Sequence, residues 1–171
     1  MPRRSPGRLH ELSRSEMAGY TQPAEPVCMI APCGINCSLC LAHLRQKNYC
    51  PGCQGSDDQK PHHCQTCAIK HCPEQQGTDP LFCFSCIRFP CQRLKQFDKR
   101  YRLRYGLSPI EDLQRVQEVG LPAFLATESP KWLCKKCGGQ LCMHRDTCPS
   151  CGDVRQIIPL PLRPRARKTK G

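Results

Sequence analysis

Sixteen of the seventeen cysteines in this chain lie between Cys33 and Cys151, most of them as C-x2-C pairs. Two thiolates separated by two residues share one tight turn and reach a single ion about 2.3 Å from each sulfur, so each pair is half of a tetrahedral metal site. The pairs are Cys50/Cys53, Cys64/Cys67, Cys83/Cys86, Cys134/Cys137 and Cys148/Cys151, while Cys37/Cys40 is extended backwards by Cys33 into C-x3-C-x2-C. C-x2-C-x4-C occurs twice and adds Cys72 and Cys91. The expected metal ligands are therefore Cys33, Cys37, Cys40, Cys50, Cys53, Cys64, Cys67, Cys72, Cys83, Cys86, Cys91, Cys134, Cys137, Cys148 and Cys151.

Eleven of these lie between Cys33 and Cys91, and three four-ligand sites there need a twelfth. His62, His63 and His71 are the nearest candidates, each read singly as a solvated loop histidine. Cys28 stands outside every pair and reads as a spare thiol. A disulfide framework belongs to secreted chains. Residues 1 to 28 are polar, carry Arg3, Arg4, Arg8 and Arg14, and contain no apolar export core; no segment approaches the roughly 20 apolar residues of a membrane span. The expectation is reduced thiols, a cytoplasmic location and no membrane.

The elements that would position these ligands follow from composition. The fold expected is a small, irregular, metal-stabilised α+β domain with a cysteine-rich core, short helices and a C-terminal zinc ribbon. A structural zinc contributes on the order of 10 to 16 kcal/mol, more than the stability of a typical small domain. Residues 1–28 read as a disordered leader and 29–91 as the cysteine-rich core, where turn residues such as Pro51-Gly52 and Gly55-Ser56-Asp57-Asp58 exclude long helices. Residues 92–130 are a helical connector. From Gln92 to Tyr105, Leu94, Phe97, Tyr101 and Tyr105 share one helical face, and Gly106 is a C-terminal stop. Ser108 is an N-cap with Pro109 in the first turn and Glu111 completing a capping box, giving a helix to Val119 with Ile110, Leu113 and Val116 inward. A further short helix is expected from Pro122 to Ala126.

Residues 131–157 contain Cys134-x2-Cys137-Gly138 and Cys148-Pro149-Ser150-Cys151-Gly152, two knuckles whose spacing is that of a zinc ribbon. Cys142 and His144 lie between them and read as spare, although either could replace a ribbon ligand. Residues 158–171 read as a basic disordered tail.

Cys33-Gly34-Ile35-Asn36-Cys37-Ser38-Leu39-Cys40, Cys50-Pro51-Gly52-Cys53, Cys64-x2-Cys67-Ala68-Ile69-x2-Cys72 and Cys83-x2-Cys86-x2-Phe89-Pro90-Cys91-x2-Leu94 resemble an uncharacterised cysteine-rich family, domain of unknown function 3795. The resemblance covers residues 30 to 94 and implies a prokaryotic cytoplasmic protein with a metal-binding cysteine core; the segment through Gly152 looks like an extension of longer members. It implies no activity.

Zinc, in several ions, is the expected cofactor, with a [4Fe-4S] cluster in the N-terminal core as the alternative. The C-x3-C-x2-C spacing is also that of radical S-adenosylmethionine enzymes, but the chain is too short for their barrel and lacks alternating strand and helix patterns. The C-x2-C-x2-C-x3-C-P run of bacterial ferredoxins is absent. So is the H-x-E element that zinc deaminases need. Thiolate-closed sites leave no position for a catalytic water, so an enzyme is not expected.

The formal charge of +12 counts every thiol as neutral. Each tetrathiolate zinc site carries −2, so four would cancel about eight charges and leave roughly +4. Two basic clusters stand out: Arg93, Lys95, Lys99, Arg100, Arg102 and Arg104 on the first helix, and Arg163, Arg165, Arg167, Lys168 and Lys170 in the tail. They suggest a nucleic acid or acidic protein as partner, against the plainer reading of solvated faces. The expected function is thus a non-enzymatic zinc-binding interaction module, with an iron-sulfur electron carrier or redox sensor as the alternative.

Overall fold

A computed structural model describes residues 29–75 and 82–163. The leader with Cys28 and the tail residues Arg165, Arg167, Lys168 and Lys170 lie outside the described residues.

Regular structure in the cysteine-rich region is limited to single turns, as its turn residues require. A 3-10 turn at Cys37–Leu39 leads into α1 (Leu41–Leu44), α2 follows at His62–Gln65, and further 3-10 turns occupy Pro73–Gln75 and Cys83–Ser85. The C-x2-C spacing makes these turns. The N–H of Cys40 reaches the Cys37 carbonyl at 3.0 Å, and the N–H of Cys86 reaches that of Cys83 at 3.2 Å.

The longer helices follow. α3 (Gln92–Tyr105) ends at Gly106, which is left-handed at φ 64°. α4 (Pro109–Val119) starts at Ser108, whose hydroxyl accepts from the Glu111 N–H at 3.2 Å, and α5 spans Leu121–Glu128. A last 3-10 turn at Ser129–Trp132 delivers the chain to the ribbon.

The expected capping box forms only in part. Ser108 caps α4, but the Glu111 carboxylate pairs with Arg102. Asp98, from α3, reinforces the cap: its Oδ1 accepts from the Ser108 hydroxyl at 2.7 Å and from the Ile110 N–H at 3.1 Å.

An α+β fold overstates the strands. β pairing among the described residues consists of three isolated bridges, Ile30 with Asn36, Leu133 with Gln140 and Thr147 with Val154, and no sheet. The loop between the ribbon's knuckles packs inward: the N–H of Met143 bonds to the Leu39 carbonyl at 2.9 Å, which takes a donor away from any hairpin ladder.

One apolar cluster serves all three regions. Ile30 and Leu39 come from the cysteine-rich segment, Leu94, Ile110, Leu113 and Phe124 from the helices, and Trp132, Leu141 and Met143 from the ribbon, each under 10% exposed. The junction is close at Gly34, where φ is +91° and an added Cβ would lie 2.3 Å from the Pro109 carbonyl oxygen. That approach seats the loop carrying Cys33 on the start of α4.

Candidate metal centre

The ribbon is built by two turns of the same design. The Gly138 N–H bonds to the Cys134 carbonyl at 2.8 Å and the Gly152 N–H to that of Cys148 at 2.9 Å. Both glycines adopt φ near +70° with nothing within 4 Å of a notional Cβ, so glycine is used here for its conformation and not for space. The turns are clamped from outside, Cys134 N–H to the Gly139 carbonyl and Cys148 N–H to that of Asp153, each at 2.8 Å.

These turns place the sulfurs of Cys134, Cys137, Cys148 and Cys151 within 4.8 Å of one another. In a tetrahedron with bonds of about 2.3 Å the sulfurs stand about 3.8 Å apart. Cys134 Sγ is 3.7 Å from Cys151 Sγ, and Cys137 Sγ is 3.7 Å from Cys148 Sγ. The Cys151 N–H, assisted by that of Ser150, holds the Cys148 thiol down to about 6. The Cys151 thiol, lowered by the Asp153 N–H but raised by Cys137, burial and the other thiols, is pushed up to about 12, so the quartet shares its protons unevenly until a cation replaces them. Cys134 and Cys148 are buried while Cys137 and Cys151 are exposed. Four thiolates fill the coordination sphere, so the group can hold an ion but offers it no open position for a substrate.

Of the described residues, this quartet is the one set of three or more metal-ligating side chains drawn within that distance. Cys33, Cys37, Cys40, Cys50, Cys53, Cys64 and Cys67 are neighbours in a looser arrangement. The backbone N–H of Cys53 donates to Cys37 Sγ at 3.3 Å. Burial raises the Cys33 thiol and pushes that of Cys37 up to about 12, with the charges of Cys53 and other nearby cysteines adding to both. Cys64 is pushed up to about 11 by burial, then by Cys50, Cys40, Cys53 and Cys67. Thiols in this condition give up their protons only if a cation compensates them. Cys72, Cys83, Cys86 and Cys91 are half-buried, Cys91 at the N-cap of α3, and Cys86 Sγ accepts from the Arg88 N–H at 3.4 Å.

Other residues proved to have structural partners. His71 sits with Nε2 2.6 Å from the Gln65 carbonyl, and His62 and His63 are exposed on α2. Arg102 is misassigned by its sequence context as a surface phosphate ligand. Its side chain is 5% exposed and bonds to Asp98, Ser108, Glu111 and the Pro161 carbonyl. Arg93 donates to the Ala68 carbonyl at 2.8 Å. Lys95, Lys99, Arg100 and Arg104 remain on the exposed side of α3, with Arg100 over the Phe97 ring and Arg104 over the Tyr105 ring.

Lys60 was missed by pattern reading altogether. It is 5% exposed, with Nζ donating to the carbonyls of Cys53 and Gly55 and to Asp57, so it fixes the Cys50/Cys53 turn and sets a positive charge beside it. No sequence signal separates such a lysine from a solvated one.

Residues 29–96 match the family described as Protein of unknown function (DUF3795). The match falls on the stretch whose cysteine spacing resembles that family. No curated protein and no solved structure matches the chain.

Proposed function

We propose that this chain, with a DUF3795 segment at its centre, is a non-enzymatic zinc-binding module working in a reducing compartment such as the cytoplasm. Its ribbon holds one zinc ion, and the exposed basic side of α3 contacts the phosphate backbone of a nucleic acid. The observation that carries the metal reading is the convergence of Cys134, Cys137, Cys148 and Cys151, with sulfur spacings of 3.7 Å that match a zinc tetrathiolate. Closure by four thiolates makes the site structural, and the binding surface must then lie elsewhere. Lys95, Lys99, Arg100 and Arg104 supply one, since none of them forms an ion pair among the described residues. No helix of the described residues is long and apolar enough to cross a membrane.

Elemental analysis of protein purified without oxygen tests the metal. Zinc is expected, and Cys134→Ser or Cys148→Ser should each release about one equivalent while the rest stays bound. Unchanged metal content in both variants, or stoichiometric iron and sulfide in place of zinc, overturns the reading.

A further inference from the structure

The turn at residues 45–49 faces residues 58–61 across an open groove of about 640 Å³, whose lining includes Arg45, Asn48, Tyr49, Asp58 and Gln59. Both walls are braced from within. On one side the Cys50 N–H bonds to the Ala42 carbonyl at 2.9 Å and the Arg45 Nε–H to the Asn48 carbonyl at 2.7 Å, with Asn48 left-handed at φ 52°. On the other, Lys60 Nζ is taken up by the Cys53 and Gly55 carbonyls and Asp57, and the Lys60 carbonyl accepts from the Gln65 amide at 2.8 Å.

The side chains that line the groove are less committed. Tyr49 is 46% exposed, and the His43 ring stands 4.9 Å from it, tilted by 45°. His43 is fixed in turn, its Nδ1 2.8 Å from the Cys50 carbonyl oxygen. Among the described residues the Asn48 and Gln59 amides and the Tyr49 hydroxyl have no hydrogen-bond partner, and the Arg45 guanidinium bonds through Nε alone. Arg45 and Lys47, on the same turn, form no ion pair there either.

We propose that this groove is a base-stacking site for single-stranded nucleic acid. One base lies on the Tyr49 ring, the Asn48 and Gln59 amides and the Asp58 carboxylate meet its polar edge, and Arg45 with Lys47 takes the adjoining phosphate. An exposed tyrosine alone is ordinary surface. Here the ring is held by His43 behind it, which lowers the cost of ordering it against a base, and it is flanked by groups that complement a base edge and a phosphate. Amides both donate and accept, so they serve any base, and stacking is equally tolerant of sequence. The groove's volume is that of a ligand pocket, but residues 45–49 and 56–59 are all exposed, so it suits a polymer passing through better than an enclosed small molecule.

This site rests on the nucleic-acid reading for its polymer but not on α3 for its contacts, and the two are separable. A short oligodeoxyadenylate and an abasic oligomer of the same length carry the same backbone and differ in the bases. Added to the full zinc-loaded chain, the adenylate should move the Tyr49 ring-proton NMR signals upfield, by the ring current of the stacked base, and the abasic oligomer should not. Tyr49→Leu should weaken adenylate binding by between about 5- and 150-fold, the range for losing one base stack. Its affinity for the abasic oligomer, its zinc content and its slope of log K against log salt should match the wild type, because no phosphate contact is lost. Tyr49→Phe should bind as the wild type does. Unmoved Tyr49 signals in the wild type while adenylate binds, or an equal loss of affinity for both oligomers in Tyr49→Leu, overturns the stacking site and leaves the phosphate-backbone reading standing. Binding of neither oligomer overturns both.

Discussion

Asp112 shows how a single side chain can register what its neighbours do. It lines a small cavity with Ile35, Leu107, Phe124, Glu128 and Trp132, at the seam between the cysteine-rich loop and the helices. Burial pushes its carboxyl up to about 7; the Glu128 charge adds to this, and Arg115 opposes it. A raised folded-state value means the native protein holds this proton more tightly than the unfolded chain. The stabilising contribution is therefore complete below about pH 4, where both states are protonated, and is lost as pH rises to about 7. Asp112→Asn removes that dependence. Expressed as variant minus wild type, unfolding free energy should rise between about pH 4 and 7 and level off above, with a ceiling of about 4 kcal/mol. The difference cancels the pH dependence of metal release common to both proteins. Parallel stability curves would show that Asp112 is not buried as an acid. Asp98 and Arg102 form the opposite case, two buried charges 2.8 Å apart that pair with each other. Apolar spacing could not disclose them, because a periodicity reading places every charge on the solvent side.

Among the elements, α3, α4 and the ribbon were legible in advance for local reasons. Apolar residues at three- and four-residue intervals, a Ser-Pro start and glycine stops are properties of short windows, and so is the C-x2-C-G knuckle. The destination of the ribbon's loop was not. The bond from Leu41 to His144 spans 103 residues, and nothing near either residue announces it. The packing of the Gly34 loop on α4 is similarly hidden, and it supplies an element-scale test. Gly34→Ala combines a φ of +91° with a Cβ 2.3 Å from the Pro109 oxygen and 2.8 Å from Leu113 Cγ, so the loop must lift from the helix. Gly138→Ala has a similar φ, +70°, but meets no atom within 4 Å. The first should cost more than the backbone strain of roughly 1 to 2 kcal/mol expected for the second, measured by chemical denaturation of the zinc-loaded proteins. Equal losses would mean that the loop does not rest on α4 as described.

At the scale of the whole molecule the question is where the net charge acts. A tetrathiolate site holding a divalent ion would offset two of the formal +12, and Arg102 is held inside the fold by Asp98. The exposed remainder on α3 is ordered: Arg93, Arg100 and Arg104 fall on one line of the helix, with Lys95 and Lys99 on the other side of its exposed face. Arg100 and Arg104 sit 5.6 Å from the Phe97 centroid and 5.8 Å from that of Tyr105, so the rings restrict both guanidinium groups. Changing both arginines to Gln preserves helix propensity and leaves the Asp98 network intact. If this face grips a phosphate backbone, affinity for RNA or DNA should fall, and the slope of log K against log salt should shrink by up to about two units, one for each phosphate no longer neutralised. Metal content measured on the same samples separates this from a merely compensating role. Charges that only balance the thiolates would lower zinc retention in the variant, whereas a binding face leaves it unchanged. Absence of nucleic-acid binding by the wild type at about 50 mM salt, where screening is weak, would eliminate the phosphate-backbone reading and leave an acidic protein as the partner to seek.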